Sequence, residues 1–371
     1  MQGTALITGG AGFIGSHTAR DLLQHGYRVR ALDQLNPQVH ESGGRPRYLD
    51  SEVELVEGDV RDPQALRRAL DGADVVVHFA ARVGVGQSMY EIAEYTSVNS
   101  QGTAVLLEAL LERPVERLVV ASSMSIYGEG LYVDATGRPL PATDRTREQL
   151  ERGQWEPHGP EGEALTPRPT SEAKTPSLSS IYALGKYDQE RMCLLFGSAY
   201  QVPTVALRFF NVYGPDQALS NPYTGVLAIF AGRLLNGNAP LIYEDGEQRR
   251  DFVSVHDVVR ACRLAIERPE ANGRVVNVGS GQSISVNEIA ERLACVLGKE
   301  EIEPQVTGKY RVGDIRHCFA DVTLAEEVLG FQAEISLEDG MAELGKWLEG
   351  QVATDRVDDA AAELAARGLT V

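Results

Sequence analysis

At 371 residues, with 43 % hydrophobic and 24 % charged residues, the chain has the composition of a globular protein rather than of a disordered or fibrous one. Its length calls for one large α/β unit, or a large domain with a smaller partner. A formal charge of -18 supplies no general basic field, which argues against nucleic acid and membrane surfaces as partners and requires that any anionic ligand be met by a few locally placed arginines.

The first half alternates short apolar runs with helical patterns. Residues 4–8 read as a strand, 13–25 as a helix, 28–32 and 53–57 as strands, and 63–70 as a helix. The β-branched runs at 74–79 and 117–122 are further strands, separated by a helical stretch over about 91–111. This alternation predicts a doubly wound parallel sheet. From about 131 to 179 the pattern breaks into Pro, Gly, Thr and charged residues, which reads as a long loop or insertion, either a lid over a site or a surface insertion without function. A helix resumes over 181–200, a strand over 205–208, and another over 275–278 leading into Gly279-Ser280-Gly281. The tail from about 354, rich in Ala, Asp and Glu, reads as a peripheral helix or a frayed end.

The expected organisation is an α/β, Rossmann-type dinucleotide-binding domain over 1–210, interrupted by the insertion and completed by a later return at about 253–281. A smaller, discontinuous α/β substrate domain would comprise 211–252 and 282–350. Cys193, Cys262, Cys295 and Cys318 are scattered without a Cys-x-x-Cys pair, and the histidines form no ligand-spaced cluster with them. That pattern predicts a reducing cytoplasm and no metal. Residues 1–10 do not read as an export signal, and no apolar run approaches bilayer-spanning length.

Gly9, Gly12 and Gly15, with Phe13 and Ile14 between the last two, follow the first strand directly and open a helix. Glycines suit that place because the turn is tight, the backbone must approach a pyrophosphate, and the helix N-terminus offers unpaired N–H groups to an anion. Asp33 ends the second strand, where a carboxylate can accept hydrogen bonds from the adenosine ribose hydroxyls and would repel a 2′-phosphate. With Gln34 following and no adjacent Arg or Lys, NAD is favoured over NADP, although Arg28 and Arg30 lie in the same strand. Tyr182 and Lys186 stand four residues apart, so both project from one helix face. A neighbouring ammonium stabilises a phenolate, as an acid/base at neutral pH requires, yet the pair alone would look the same on an ordinary surface.

Together these residues resemble the extended short-chain dehydrogenase/reductase family, in its sugar-nucleotide epimerase and dehydratase branch. The resemblance runs from Thr4 to about Leu348 and fails only over the insertion. Its motifs are TGGAGFIG, Gly58-Asp59-Val60, His78-Phe79-Ala80-Ala81, Ser122-Ser123 before Tyr127-Gly128, and the Tyr182/Lys186 pair. Further on come the run from Arg208 to Pro215, Arg250-Asp251-Phe252 with His256-Asp257, and Arg311-Val312-Gly313-Asp314.

The resemblance implies that Asp59 and Val60 contact the adenine, that Ala80 and Ala81 line the middle of the cofactor, and that Asn99 supports the helix near the nicotinamide. It casts Ser123 as the hydroxyl that shares a hydrogen bond with the sugar O4, Tyr182 as the base, and Lys186 as the residue that binds the nicotinamide ribose and lowers the Tyr182 pKa. Asn211, Arg250 and Arg311 would hold the substrate diphosphate, Asp314 the nucleotide ribose, and Cys318 would limit the room around the sugar. In the family's 4,6-dehydratases the Ser or Thr matching Ser123 is followed by Asp and Glu, and its decarboxylases usually carry a glutamate nearby. Here Met124 and Ser125 stand instead, and neither transfers a proton as a carboxyl does, so oxidation and re-reduction at C4 is the expected reaction.

The stretch 217–246 and the insertion are most similar to dTDP-L-rhamnose 4-epimerases and related deoxysugar epimerases, with UDP-glucose, N-acetylhexosamine and glucuronate epimerases as alternatives. Members that bind the dinucleotide without catalysis generally lose the Tyr, Lys or Ser, all of which this chain keeps. By analogy with the family, a homodimer would pair through the helices over 91–111 and 181–200.

Overall fold

The computed structural model describes residues 2–40, 43–142, 145–311 and 313–370. Val312 of the Arg-Val-Gly-Asp motif therefore lies outside the described residues. Among those described, seven parallel strands form the main sheet: β1 (Thr4–Thr8), β2 (Arg28–Asp33), β3 (Glu54–Glu57), β4 (Val75–His78), β5 (Arg117–Ser123), β6 (Thr204–Phe209) and β7 (Val275–Val278). Their spatial order is 3-2-1-4-5-6-7. The order reverses between β1 and β4, and a crevice opens there at the carboxyl ends of the strands, as in a Rossmann-type fold.

The apolar runs of the sequence explain the sheet. β1, β4, β5 and β6 are buried along their whole length, as strands covered on both faces must be. One apolar cluster, with Ile7, Val77, Val119 and Leu207, meets the helices Phe13–Gln24 and Val255–Glu267. The opposite cluster, with Leu6, Val76, Leu118 and Ala206, meets Gly102–Glu112 and Ile181–Tyr200. A separate core gathers Phe230 and Leu234 of the helix Val226–Leu235, Leu293 of Val286–Val296, and Leu344 of Leu337–Leu348. The strand Asn211–Tyr213 pairs in parallel with Phe252–Ser254 between the two parts.

Two stretches differ from what the residue pattern alone suggests, and the tail takes the helical one of its two readings. The helix anticipated over 91–111 is divided into Ile92–Thr96, a π-helical turn at Ser97–Gln101, and Gly102–Glu112. The widened turn carries Asn99, which is fully buried; its Oδ1 accepts the Arg82 amide at 2.7 Å and its Nδ2 donates to the Arg82 carbonyl at 3.1 Å.

The described residues of the insertion carry strand pairings of their own. Leu131–Val133 pairs antiparallel with Pro139–Leu140 and with Thr166–Arg168, and Thr170 bridges to Ala320. The tail likewise forms a helix, Val357–Ala366, whose Leu364 is buried, while Arg367 lies over the Tyr90 ring and Thr370 bridges to Arg311. Asp355 and Asp358 hold its start to Arg233, so long-range ion pairs fix a segment that looks free in sequence. No helix among the described residues is long and apolar enough to cross a membrane.

Candidate active site

The crevice is a cavity of about 470 Å³ that runs from the glycine turn to the amino end of the helix Ile181–Tyr200. Gly9, Gly12, Phe13, Ile14 and Gly15 line one part of it. Gly9 has φ +70°, and a Cβ there would stand 2.9 Å from the Ala80 amide nitrogen. A Cβ on Gly15 would stand 2.3 Å from the Gly9 carbonyl oxygen, so a side chain fits at neither place. The helix that follows has no side-chain cap and no acidic residue in its first turn, which leaves its N-terminal field open to an anion. A cradle a Cβ would fill, facing an uncapped helix, fits a dinucleotide pyrophosphate.

At the carboxyl end of β2, the Asp33 carboxylate accepts the amides of Ala11 at 3.1 Å and Leu35 at 2.9 Å and lines the cavity. Arg28 opens the same strand and so lies at its far end, while Arg30 is engaged by Glu54 and by the carbonyls of Ala69 and Asp71. Neither guanidinium is part of the lining. Asp59 and Val60 also line the cavity. Burial works against the Asp59 carboxylate, but hydrogen bonds from Arg61, the shortest at 2.6 Å, outweigh it and hold the group below its ordinary pKa.

Ala80 and Ala81 border the middle, and Ser123, Tyr182, Lys186 and Asn211 line the cavity with them. Ser180 caps the Tyr182 helix by accepting the Ala183 amide at 3.1 Å, and the Tyr182 amide donates to Ser88 Oγ at 3.0 Å. Burial pushes the Tyr182 phenol above its ordinary pKa, and a hydrogen bond with Ser123 pulls it back. Ser123 Oγ in turn accepts the Ser125 hydroxyl at 2.9 Å.

Lys186 is almost wholly buried, and burial lowers its pKa to about 8, against the pull of Cys193 and Glu190. Its Nζ donates to Gln189 Oε1 at 2.8 Å. The Lys186 ammonium is thus engaged one helical step along its own helix.

Behind Lys186 lies a buried polar chain that sequence reasoning missed. Gln189 Nε2 donates to the Ala80 carbonyl at 3.2 Å and to Thr103 Oγ1 at 3.0 Å. Thr103 gives its own proton to the Asn99 carbonyl at 2.6 Å, so it accepts from His78 Nε2 at 2.9 Å, and His78 Nδ1 accepts from Thr8 Oγ1 at 2.7 Å. Burial, reinforced by Lys186, drops the His78 pKa to about 3 and keeps the ring neutral. The available signals were the position of Gln189, three residues after Lys186 on the same helix face, and a lone histidine in an apolar strand. A second buried support was also missed. Glu190 holds Arg208 through two contacts at 2.7 and 2.9 Å and accepts Ser122 Oγ at 2.6 Å, directly behind Ser123.

Arg250, Arg311, Asp314 and Cys318 lie apart from this lining. The Arg250 guanidinium donates to the backbone carbonyls of Arg249, Ile315 and Arg316. Arg311 lies over the Tyr243 ring and contacts Asp314 at 3.0 Å, so two expected nucleotide ligands are paired with each other. Cys318 is fully buried beside Met124, Tyr127 and Phe210 rather than on the cavity wall. Asn211 Nδ2 donates to the Asp251 carbonyl at 3.0 Å.

Residues 5–279 match the NAD dependent epimerase/dehydratase family. The chain belongs to that family, and NAD is its cofactor. It is 36 % identical to the dTDP-L-rhamnose 4-epimerase of Burkholderia thailandensis over 348 residues, covering 92 % of this chain and 94 % of that protein. Among solved structures, the UDP-glucose 4-epimerase of Thermotoga maritima with UDP-glucose has a TM-score of 0.77 at 31 % identity, covering 93 % of this chain and 98 % of the other. The Thermus thermophilus UDP-glucose 4-epimerase in complex with NAD has a TM-score of 0.74 at 29 % identity, covering 94 % and 100 %.

Proposed function

We propose that the protein is an NAD-dependent nucleotide-sugar 4-epimerase whose sugar is dTDP-L-rhamnose or a related deoxysugar. The observation that carries the reading is that Tyr182 and Ser123 line the same end of one cavity, with Met124 and Ser125 where a dehydratase needs carboxyls. The identity to the Burkholderia thailandensis enzyme supports the choice of sugar. The relatives that act on UDP-glucose keep UDP-hexoses in the test set.

On this reading residues 1–210 and the return at 253–281 hold the dinucleotide, and 211–252 with 282–350 hold the nucleotide sugar. Gly9, Gly12, Phe13, Ile14 and Gly15 take the pyrophosphate, Asp33 the adenosine ribose, and Asp59 and Val60 the adenine. Ala80, Ala81 and Asn99 shape the middle, and Lys186 leaves Gln189 for the nicotinamide ribose. NAD bound there would supply the acceptor and later the donor of the C4 hydride.

The chain's own residues manage the proton and the pivot. Tyr182 takes the O4 proton and gives it back after the 4-keto sugar has turned about its diphosphate link. Ser123, oriented by Ser125, holds O4 meanwhile. Asn211, Arg250 and Arg311 grip the diphosphate while Asp314 parts from Arg311 to meet the nucleotide ribose, and Cys318 packs behind the sugar. Exposed Ile92, Leu111, Leu184, Leu195 and Tyr200 favour a homodimer through their helices, and four free thiols favour a reducing cytoplasm.

Purified protein without added cofactor, incubated separately with dTDP-L-rhamnose, UDP-glucose, UDP-N-acetylglucosamine and UDP-glucuronate, should convert one of them to its C4 epimer by proton NMR with no net NADH. Tyr182→Phe should lower that rate by about 10²–10⁴-fold. A 4-keto-6-deoxy or decarboxylated product would overturn the reading.

A further inference from the structure

Three loops leave the carboxyl ends of strands around the cavity and meet through neutral amides. Gln38 lies five residues beyond Asp33 at the end of β2, Gln87 lies in the short helix Val85–Ser88 beyond β4, and Asn221 follows the strand Asn211–Tyr213. Gln38 Nε2 donates to Gln87 Oε1 at 3.0 Å and to Asn221 Oδ1 at 3.0 Å. Each partner is anchored in its own loop. Gln87 Nε2 donates to Glu91 Oε1 at 2.8 Å, its Oε1 lies 3.2 Å from the Tyr95 hydroxyl, and Asn221 Oδ1 also accepts the Tyr223 amide at 3.1 Å.

Gln38 and Asn221 line the cavity, and Gln87 is buried behind them. The strand ends, the glycine turn and Asp33 thus form one side of the crevice and the amides join its opposite rims. The Gln38 loop is turned locally by Asn36, which accepts the Gln38 amide at 2.9 Å and the His40 amide at 2.8 Å. The three-way contact is therefore not what folds the loops. It ties together elements that a departing dinucleotide must separate.

We infer that Gln38, Gln87 and Asn221 form a latch across the bound dinucleotide that keeps it on the protein between turnovers. The inference rests on the epimerase reading, in which the same cofactor must stay to return what it took. Neutral amides suit the task, because each bond is strong enough to slow opening and weak enough to let a new protein load its cofactor.

The test uses holoenzyme loaded with isotopically labelled NAD and chased with excess unlabelled NAD. Gln38→Ala removes all three side-chain bonds that join Gln38 to Gln87 and Asn221 and should speed release about tenfold, equivalent to about 1.4 kcal/mol at 25 °C. Asn221→Ala should speed it about threefold, and the double variant should release no faster than Gln38→Ala, because the two share one bond. A merely structural role would instead shift the thermal midpoint of both variants in step with any change in release. Release from Gln38→Ala at the wild-type rate, or additive effects in the double variant, would overturn the latch while leaving epimerisation by the wild type intact. A wild-type protein that loses its label at every turnover would overturn both the latch and the epimerase reading.

Discussion

The glycine-turn end of the molecule and the insertion end are held together by different forces. Around Gly9 and Gly15 the close approaches are between backbone atoms, and the packing behind them is aliphatic, with Ala5, Ile7 and Ala31 fully buried. Around the insertion the contacts are between charges far apart in sequence. Arg316, hardly exposed at all, reaches Glu156 at 2.6 Å, Asp245 at 2.6 Å and Glu244 at 3.0 Å. Arg145 reaches Glu244 at 2.7 Å, and Glu129 accepts the Arg316 amide at 2.8 Å and the Tyr132 hydroxyl at 2.8 Å. An aliphatic sheet is non-directional and tolerates small shifts, whereas a buried charge network is stable only when every member is paired. The cofactor end is thus specified by shape, and the far wall by charge balance.

The largest expected effect falls on the charged end. Arg316→Ala leaves Glu244 buried with Arg145 as its remaining cation and should cost about 3 kcal/mol in chemical denaturation, the low end for a broken buried pair because Glu156 and Asp245 are partly solvated. A loss below about 1 kcal/mol, as for a surface pair, would erase the contrast between the two ends. At the glycine end, Gly15→Ala forces a Cβ onto the Gly9 carbonyl and Gly10 Cα; we expect a cost of about 1–3 kcal/mol from overpacking, with NAD binding lost in a fluorescence titration. Tight NAD binding by that variant would mean that shape is not what defines the cradle.

The smallest effect should come from Lys186, the charge placed inside the aliphatic end. Burial holds its pKa near 8 against an ordinary 10.5, so between those values the unfolded chain binds more protons than the folded one. The stability of dinucleotide-free protein should therefore rise with pH across that window, and Lys186→Met should flatten the slope. An unchanged slope in the variant would assign the pH dependence to other groups.

How much of this was legible follows from the range of the forces involved. β1, β4, β5 and the Tyr182 helix announce themselves because a buried parallel strand must be a continuous apolar run and an amphipathic helix must repeat every three to four residues. Gly15 was legible for the same local reason. The contacts that join Gln189 and Thr103 to His78 were not, because a hydrogen-bonded chain buried behind Lys186 leaves no period in the sequence. The insertion was the largest loss. Its Pro, Gly and charged residues read as loop, and its order depends on Arg316 and His317, which lie some 160 residues from their partner Glu156.

The sequence by itself therefore determined the Rossmann-type sheet and the close-packed glycine turn, since both rest on local spacing. Only the tertiary structure decided that Arg316 meets Glu156 and Glu244, that Thr103 joins Gln189 to His78, and that Gln38, Gln87 and Asn221 meet at the cavity. Those are contacts between side chains on separate elements, and their partners are fixed by how sheet, insertion and tail pack rather than by any neighbour along the chain.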